Sequence, residues 1–168
     1  MKLKLYLLLF ALCSVVTLQS CSDDDDPTTV PEAIVDAFKA KFPSVTNEKW
    51  EIKSGYHVAE FWDNGKEVDA WFTSTAEWSM TETDLGKDLT LLPNEVKTTF
   101  TSSIYNPTTT NWRVEDIDLY ERPDKTFYLI EIEAAGQKDR KLFYNPDGTL
   151  IKDVEDKEND DILPNTPI

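Results

Sequence analysis

Histidine and cysteine are nearly absent from this chain. His57 is the only histidine, and the two cysteines are Cys13 and Cys21. One histidine excludes His-rich metal sites and most His-dependent catalytic arrangements, and beside no second such group it reads as a structural residue. Glycine is scarce: five in the chain, none clustered. A glycine-rich loop that cradles phosphate is therefore excluded. Basic residues are outnumbered, 17 against 32 acidic ones, and no basic stripe is present. Nucleic-acid binding, which depends on Lys and Arg neutralising phosphates, is excluded with it. One hydrophobic run exists, from Leu5 to Leu18, shorter than the roughly 20 apolar residues a membrane-spanning helix needs.

That run has the layout of a secretory signal: Lys2 and Lys4, an apolar core, then a processing site. Residues 1–20 are read as the signal peptide. The junction Leu18-Gln19-Ser20-Cys21 resembles a bacterial lipobox, with Cys21 as the residue that takes lipid. Gln19 departs from the commonest pattern. Directly after it, Ser22-Asp23-Asp24-Asp25-Asp26 resembles the export tag of surface lipoproteins of the Bacteroidetes. The same block, being of one charge, also reads as a solvated spacer. Residues 21–29 are thus a lipidated acidic tether. The expected location is the outer membrane, exposed on the cell surface, with the membrane contacted through the lipid anchor only. Without the signal, 148 residues remain, with 15 basic residues after loss of two lysines and all 32 acids, a formal balance of −17. Once Cys13 is removed and Cys21 acylated, no thiol is left for a disulfide, a metal cluster or a nucleophile.

The rest of the chain looks duplicated. Val30-Pro31 through Phe38 aligns with Leu92-Pro93 through Phe100, and Phe42, Trp50 and Ile52 fall on Ile104, Trp112 and Val114. A constant offset across separate elements is the signature of a repeat. Pro31 and Pro93 suit the first turn of a helix. Ile34, Val35, Phe38 and Phe42 follow with helical spacing, as do Val96, Phe100 and Ile104. Alternating segments come next, separated by the turns Ser54-Gly55, Asn64-Gly65, Arg122–Lys125 and Asn145–Gly148. The expected architecture is α+β: two tandem units, residues 30–91 and 92–156, each one helix plus a four-stranded antiparallel sheet. Residues 157–168 are expected to form a loose acidic tail.

The apolar-Pro helix starts, the Trp at the first strand, the aromatic second and third strands and the Asn-Gly or Asp-Gly turns resemble the PepSY-like, beta-lactamase-inhibitor-like lipoprotein family of Bacteroidetes. The resemblance covers about residues 30–156 and includes tandem copies. It implies a fold like that of beta-lactamase inhibitor protein, with a concave binding surface. It implies no catalytic residues and no cofactor.

Strand alternation names the candidate contact residues. If Ala59, Phe61, Ala70 and Phe72 face the helix, then Tyr56, Val58, Trp62 and Trp71 face away, with Phe127, Leu129 and Phe143 in equivalent positions of the second unit. An open aromatic face would be a contact surface. The same residues buried between sheets or between molecules would be core, and a register slip of one residue would reverse the face. Carboxylate pairs are too plentiful to single out. Glu60 and Glu131 occupy equivalent positions, and Asp116-x-Asp118 and Asp160-Asp161 lack the glycine and terminal glutamate of an EF-hand loop. The leading expectation is therefore a surface-anchored binding module rather than an enzyme, of the inhibitor kind, with no metal. Its partner would be a protein or peptide, such as a protease or cell-wall enzyme. A carbohydrate-contacting accessory protein is the alternative, and a carboxylate-dependent enzyme ranks last.

Overall fold

The structure, a computed structural model, describes residues 29–157 and 162–168. Helix α1, Glu32–Lys41, is followed by strands β1, Lys49–Lys53, β2, Tyr56–Asp63, β3, Lys66–Phe72, and β4, Trp78–Asp84. A short 3-10 turn, Leu89–Leu91, leads to helix α2, Asn94–Thr101, and then to β5, Arg113–Glu121, β6, Thr126–Glu133, β7, Arg140–Tyr144, and β8, Leu150–Glu155.

Pro31 and Pro93 sit at the helix caps, where a missing N–H costs nothing. The hairpins are local in origin. Ser54-Gly55 and Asn64-Gly65 have positive φ at both positions, 51° and 84°, then 50° and 78°, the geometry that matches the twist of two antiparallel strands.

All eight strands lie in one antiparallel sheet, in sequence order from β1 to β8. The expectation of two four-stranded sheets is corrected here. Strands β4 and β5 pair directly, from Thr81 opposite Glu121 to Asp84 opposite Asp118, so the two halves form a continuous surface. Ladder hydrogen bonds left open on the edges of two small sheets are satisfied by joining them.

Both helices lie on one face. Ile34 and Phe38 of α1 pack on Ala59, Phe61, Val68, Ala70 and Phe72. The Phe38 ring meets Trp50 and Phe61 with centroids 5.4 Å away in each case, both edge to face. Val96 and Phe100 of α2 pack on Ile117, Ile130, Ile132, Leu142 and Tyr144. The second helix stops earlier than its spacing suggested. Ser103 Oγ donates to Phe100 O and Asn106 Nδ2 to Thr101 O, which closes off the helix end, and Ile104 is left 76% exposed.

Because strand side chains alternate, the residues between these helix-facing ones all point to the opposite, helix-free face. That face carries the functional question.

Candidate functional site

The helix-free face has two ends of different chemistry. At one end Val58, Trp71, Met80, Tyr120, Phe127, Leu129 and Phe143 form an apolar cluster. The cluster is not open. Residues 162–168 fold back across it: Ile162 is buried in it, with Leu163 and Ile168 packed at its side. Arg122 holds this segment by donating from Nη1 to Thr166 O, 2.8 Å, and from Nη2 to Leu163 O, 2.7 Å. Its guanidinium also lies over the Phe127 ring, 5.1 Å from the centroid. Lys125 Nζ donates to Ile168 O, 3.0 Å. Within the segment, Thr166 N donates to Leu163 O and Leu163 N to Thr166 Oγ1.

The expectation of an open aromatic face is therefore corrected for Val58, Trp71, Phe127, Leu129 and Phe143, none more than 4% exposed. The physical reason lies beyond the acidic stretch of the tail. Ile162, Leu163 and Ile168 remove more apolar surface from water by covering the cluster than by staying solvated. Residues 162–168 are accordingly no loose tail. Tyr56 is half-buried at the cluster's margin, its ring edge to face with Trp71 at 6.0 Å. Trp62 is the one candidate that remains open, at 60% exposure. His57 is half-buried on the helix-facing side of β2. The candidate lipid site Cys21, the tag residues Ser22 and Asp23 to Asp26, and the signal peptide lie outside the described residues.

The other end is acidic. Asp69 on β3, Glu82 and Asp84 on β4, Asp116 and Asp118 on β5 and Glu131 on β6 project from neighbouring positions of the ladder. A β-bulge between Val114 and Asp116 adjusts the register so that Asp116 sits opposite Glu131. A cavity of about 300 Å3 opens between Asp69, Glu82, Asp116, Asp118 and Glu131 and the side chains of Trp71, Tyr120, Leu129 and Ile162, and Asp84 lies outside its lining.

Two lysines flank the cavity. Lys53 Nζ contacts Glu51 at 2.6 Å and Asp69 at 3.1 Å. Lys141 Nζ contacts Asp156 at 3.0 Å and Glu131 at 3.5 Å. Burial works against the charge on both, but the carboxylates around them hold each ammonium above its ordinary range. Glu82 accepts from the Tyr120 hydroxyl, 2.9 Å.

Asp118 is different. It is 8% exposed, and among the described residues no donor and no cation meets its carboxyl. Burial, followed by the charges of Glu82, Asp116, Glu131 and Asp84, pushes its pKa up to about 9. Burial also raises Asp69, Asp116 and Glu131. The Trp71 indole N–H is likewise buried without an acceptor.

Asp69, Glu82 and Asp84 carry no signal of this acidic end in the sequence, whereas Asp116, Asp118 and Glu131 were among its plentiful carboxylates. The period-2 pattern places Asp116 and Asp118 on one face. Nothing local indicates that Asp84, more than thirty positions earlier, stands beside them.

The family model described as "Putative beta-lactamase-inhibitor-like, PepSY-like" matches residues 54–152. No curated protein matches the sequence. Among solved structures, the chain is similar to a BLIP-like protein from Bacteroides fragilis NCTC 9343, with 37% identity, a TM-score of 0.68, and 81% of this chain and 96% of that chain covered. It is also similar to a DUF2874 family protein from Bacteroides ovatus ATCC 8483, at 30% identity, a TM-score of 0.69, and 76% and 88% coverage. A third, described as a putative periplasmic protein of Bacteroides eggerthii DSM 20697, is 24% identical, with a TM-score of 0.68 and 76% and 89% coverage. Among the described residues no helix is long and apolar enough to cross a membrane.

Proposed function

Since this chain belongs to the PepSY-like, beta-lactamase-inhibitor-like family, we propose that it is a binding module of the inhibitor kind that engages a protein partner through its helix-free face. The observation that carries this reading is the row of carboxylates across β3 to β6, with no helix of the described residues laid over it. A sheet face covered by a helix is core. One left acidic and open suits a partner surface rich in Lys or Arg, because opposite charge speeds encounter and sets orientation. Trp62 and the margin residue Tyr56 lie on the same face and supply aromatic contact beside the charge. Val58, Trp71, Phe127, Leu129 and Phe143 join the contact only when residues 162–168 lift away.

The remaining elements of the proposal follow from the amino terminus. Cys21 carries lipid, Ser22 to Asp26 direct export, and the acidic tether keeps the domain off an anionic membrane. The protein thus acts outside the cytoplasm on an outer-membrane anchor, its two helix-plus-four-strand repeats joined in one sheet, and it catalyses no reaction. The carbohydrate alternative loses its stacking platform, because Trp71, Phe127 and Phe143 are covered.

The test is site-directed photo-crosslinking on intact cells, with the reactive residue placed at Trp62 or Glu67 on the helix-free face or at Asp36 on α1. The expected result is one discrete adduct from the first two positions and none from the third, lost on Asp84→Lys. Equal adducts from Asp36, or adducts indifferent to the charge reversal, overturn the assignment of the face. Cys21→Ser is expected to release the protein from membranes.

A further inference from the structure

We propose that Asp84, Asp116 and Asp118 form a calcium-binding site on the helix-free face. The three residues come from two strands and are brought together by tertiary pairing. Asp84 stands opposite Asp118 in the β4–β5 ladder, and the bulge after Val114 sets Asp116 beside them. One carboxylate oxygen from each lies within 4.8 Å of the other two. Oxygens arranged around calcium at about 2.3–2.6 Å are up to about 5 Å apart, so a single ion reaches all three without rearrangement of the strands.

A cluster of acids on an acidic protein says little by itself. The independent observation is Asp118. A carboxyl 8% exposed, with no hydrogen-bond donor and no cation among the described residues, is a costly thing to bury. It lines the 300 Å3 cavity rather than apolar core, so the space in front of it is large enough to admit an ion with its water. The flanking lysines do not fill that role. Lys53 and Lys141 are engaged by Glu51, Asp69, Asp156 and Glu131.

Asp84 and Asp116 are held in place by backbone hydrogen bonds. Asp84 Oδ1 accepts from Gly86 N–H, and Asp116 Oδ1 accepts from Ile117 N–H at 2.9 Å. The donor set is all oxygen, with no imidazole or thiolate in it among the described residues, which suits a hard cation and disfavours zinc or copper. Calcium tolerates the irregular coordination that two strands and a cavity offer, whereas magnesium demands a near-ideal octahedron.

This inference does not rest on the partner proposed above, although Asp84 serves in both, and its test therefore uses the purified protein without a partner. That protein is Cys21→Ser, stripped with chelator, with terbium as the calcium surrogate. Tyr120 and Trp71 line the same cavity, so exciting them sensitises bound terbium. Excess magnesium suppresses binding to the acidic tether and other loose carboxylates. The expected result is saturable emission with one ion per chain, displaced by calcium. Asp118→Asn and Asp84→Asn each weaken it by about tenfold or more, because ligand charge sets affinity at such sites. Glu67→Gln, an acid of the same face outside the cluster, leaves it unchanged. Circular dichroism of the near-isosteric Asn variants checks that they are folded. The proposal is overturned by the absence of calcium-displaceable emission, by wild-type emission in both Asn variants, or by equal weakening in all three.

Discussion

Arg122→Ala should undock the carboxy-terminal segment while leaving the sheet intact. Arg122 is the main polar link between the β5–β6 turn and residues 162–168, through its two bonds to Thr166 O and Leu163 O. A hydrogen bond from a charged donor contributes about 1.5–3 kcal/mol, so losing both weakens docking by about 3 kcal/mol at the low end. That is on the order of a hundredfold in the ratio of docked to undocked segment. The segment has little in reserve. It is anchored by one buried side chain, Ile162, with Leu163 and Ile168 only partly covered, while ordering each residue's backbone costs about 1–2 kcal/mol. Two measurements read the outcome. Hydrogen exchange at the Thr166 amide, which donates to Leu163 O, should speed up by about a hundredfold, since exchange reports local opening. A hydrophobic dye should bind the variant and not the wild type, because Val58, Phe127 and Phe143 lose their cover. Global denaturation should shift far less than exchange does. If the Thr166 amide stays as protected in Arg122→Ala as in the wild type, and no dye binds, the segment is not held in the way described. The aromatic cluster would then be permanent core.

Trp71→Ala should destabilise the fold by about 3–5 kcal/mol in urea melts, as expected for a large buried ring, whereas Trp62→Ala on the same face should fall within about 0.5 kcal/mol of wild type. Equal losses would refute the division of that face into covered and open ends. Gly148 and Gly65 both have positive φ, 83° and 78°, but a Cβ on Gly148 would meet Glu95 O of α2 at 2.6 Å while one on Gly65 meets nothing. Gly65→Ala should therefore cost only the backbone term of about 1–2 kcal/mol, and Gly148→Ala clearly more, read as a larger drop in urea midpoint. In chelator, stability should fall as pH rises. Asp118 keeps its proton in the fold up to about 9, under burial and the charges of Glu82, Asp116, Glu131 and Asp84, while an unfolded aspartate loses it near pH 4, at about 3.9. Between those values the folded state binds the extra proton, so each pH unit removes up to about 1.4 kcal/mol of a stabilisation fully present at lower pH. Asp118→Asn should flatten that slope; a slope identical to wild type would refute the assignment.

The sequence by itself determined the parts whose physics is local. Pro31 and Pro93 mark helix starts because proline fits there without losing a bond. Ser54-Gly55 and Asn64-Gly65 make tight hairpins because those residues accept positive φ. Alternation along β2 and β3 sorted Phe61 and Phe72 from Val58 and Trp71, since a strand's side chains have a period of two. The shortage of histidine, thiol and basic residues narrowed the chemistry before any fold was known. Only the tertiary structure decided what each face meets. The pairing of β4 with β5 turned two expected sheets into one, and no local preference encodes which edges join. The same pairing set Asp84 against Asp118, residues far apart in the chain. Ile104 left the helical pattern because Ser103 and Asn106 ended α2 first. The aromatic end of the helix-free face became core because an apolar segment from the far end of the chain, held by Arg122, had somewhere to bury itself. Alternation reports the side to which a residue points. Whether that side is water, another strand or the chain's own terminus depends on contacts between distant segments, which periodicity does not record.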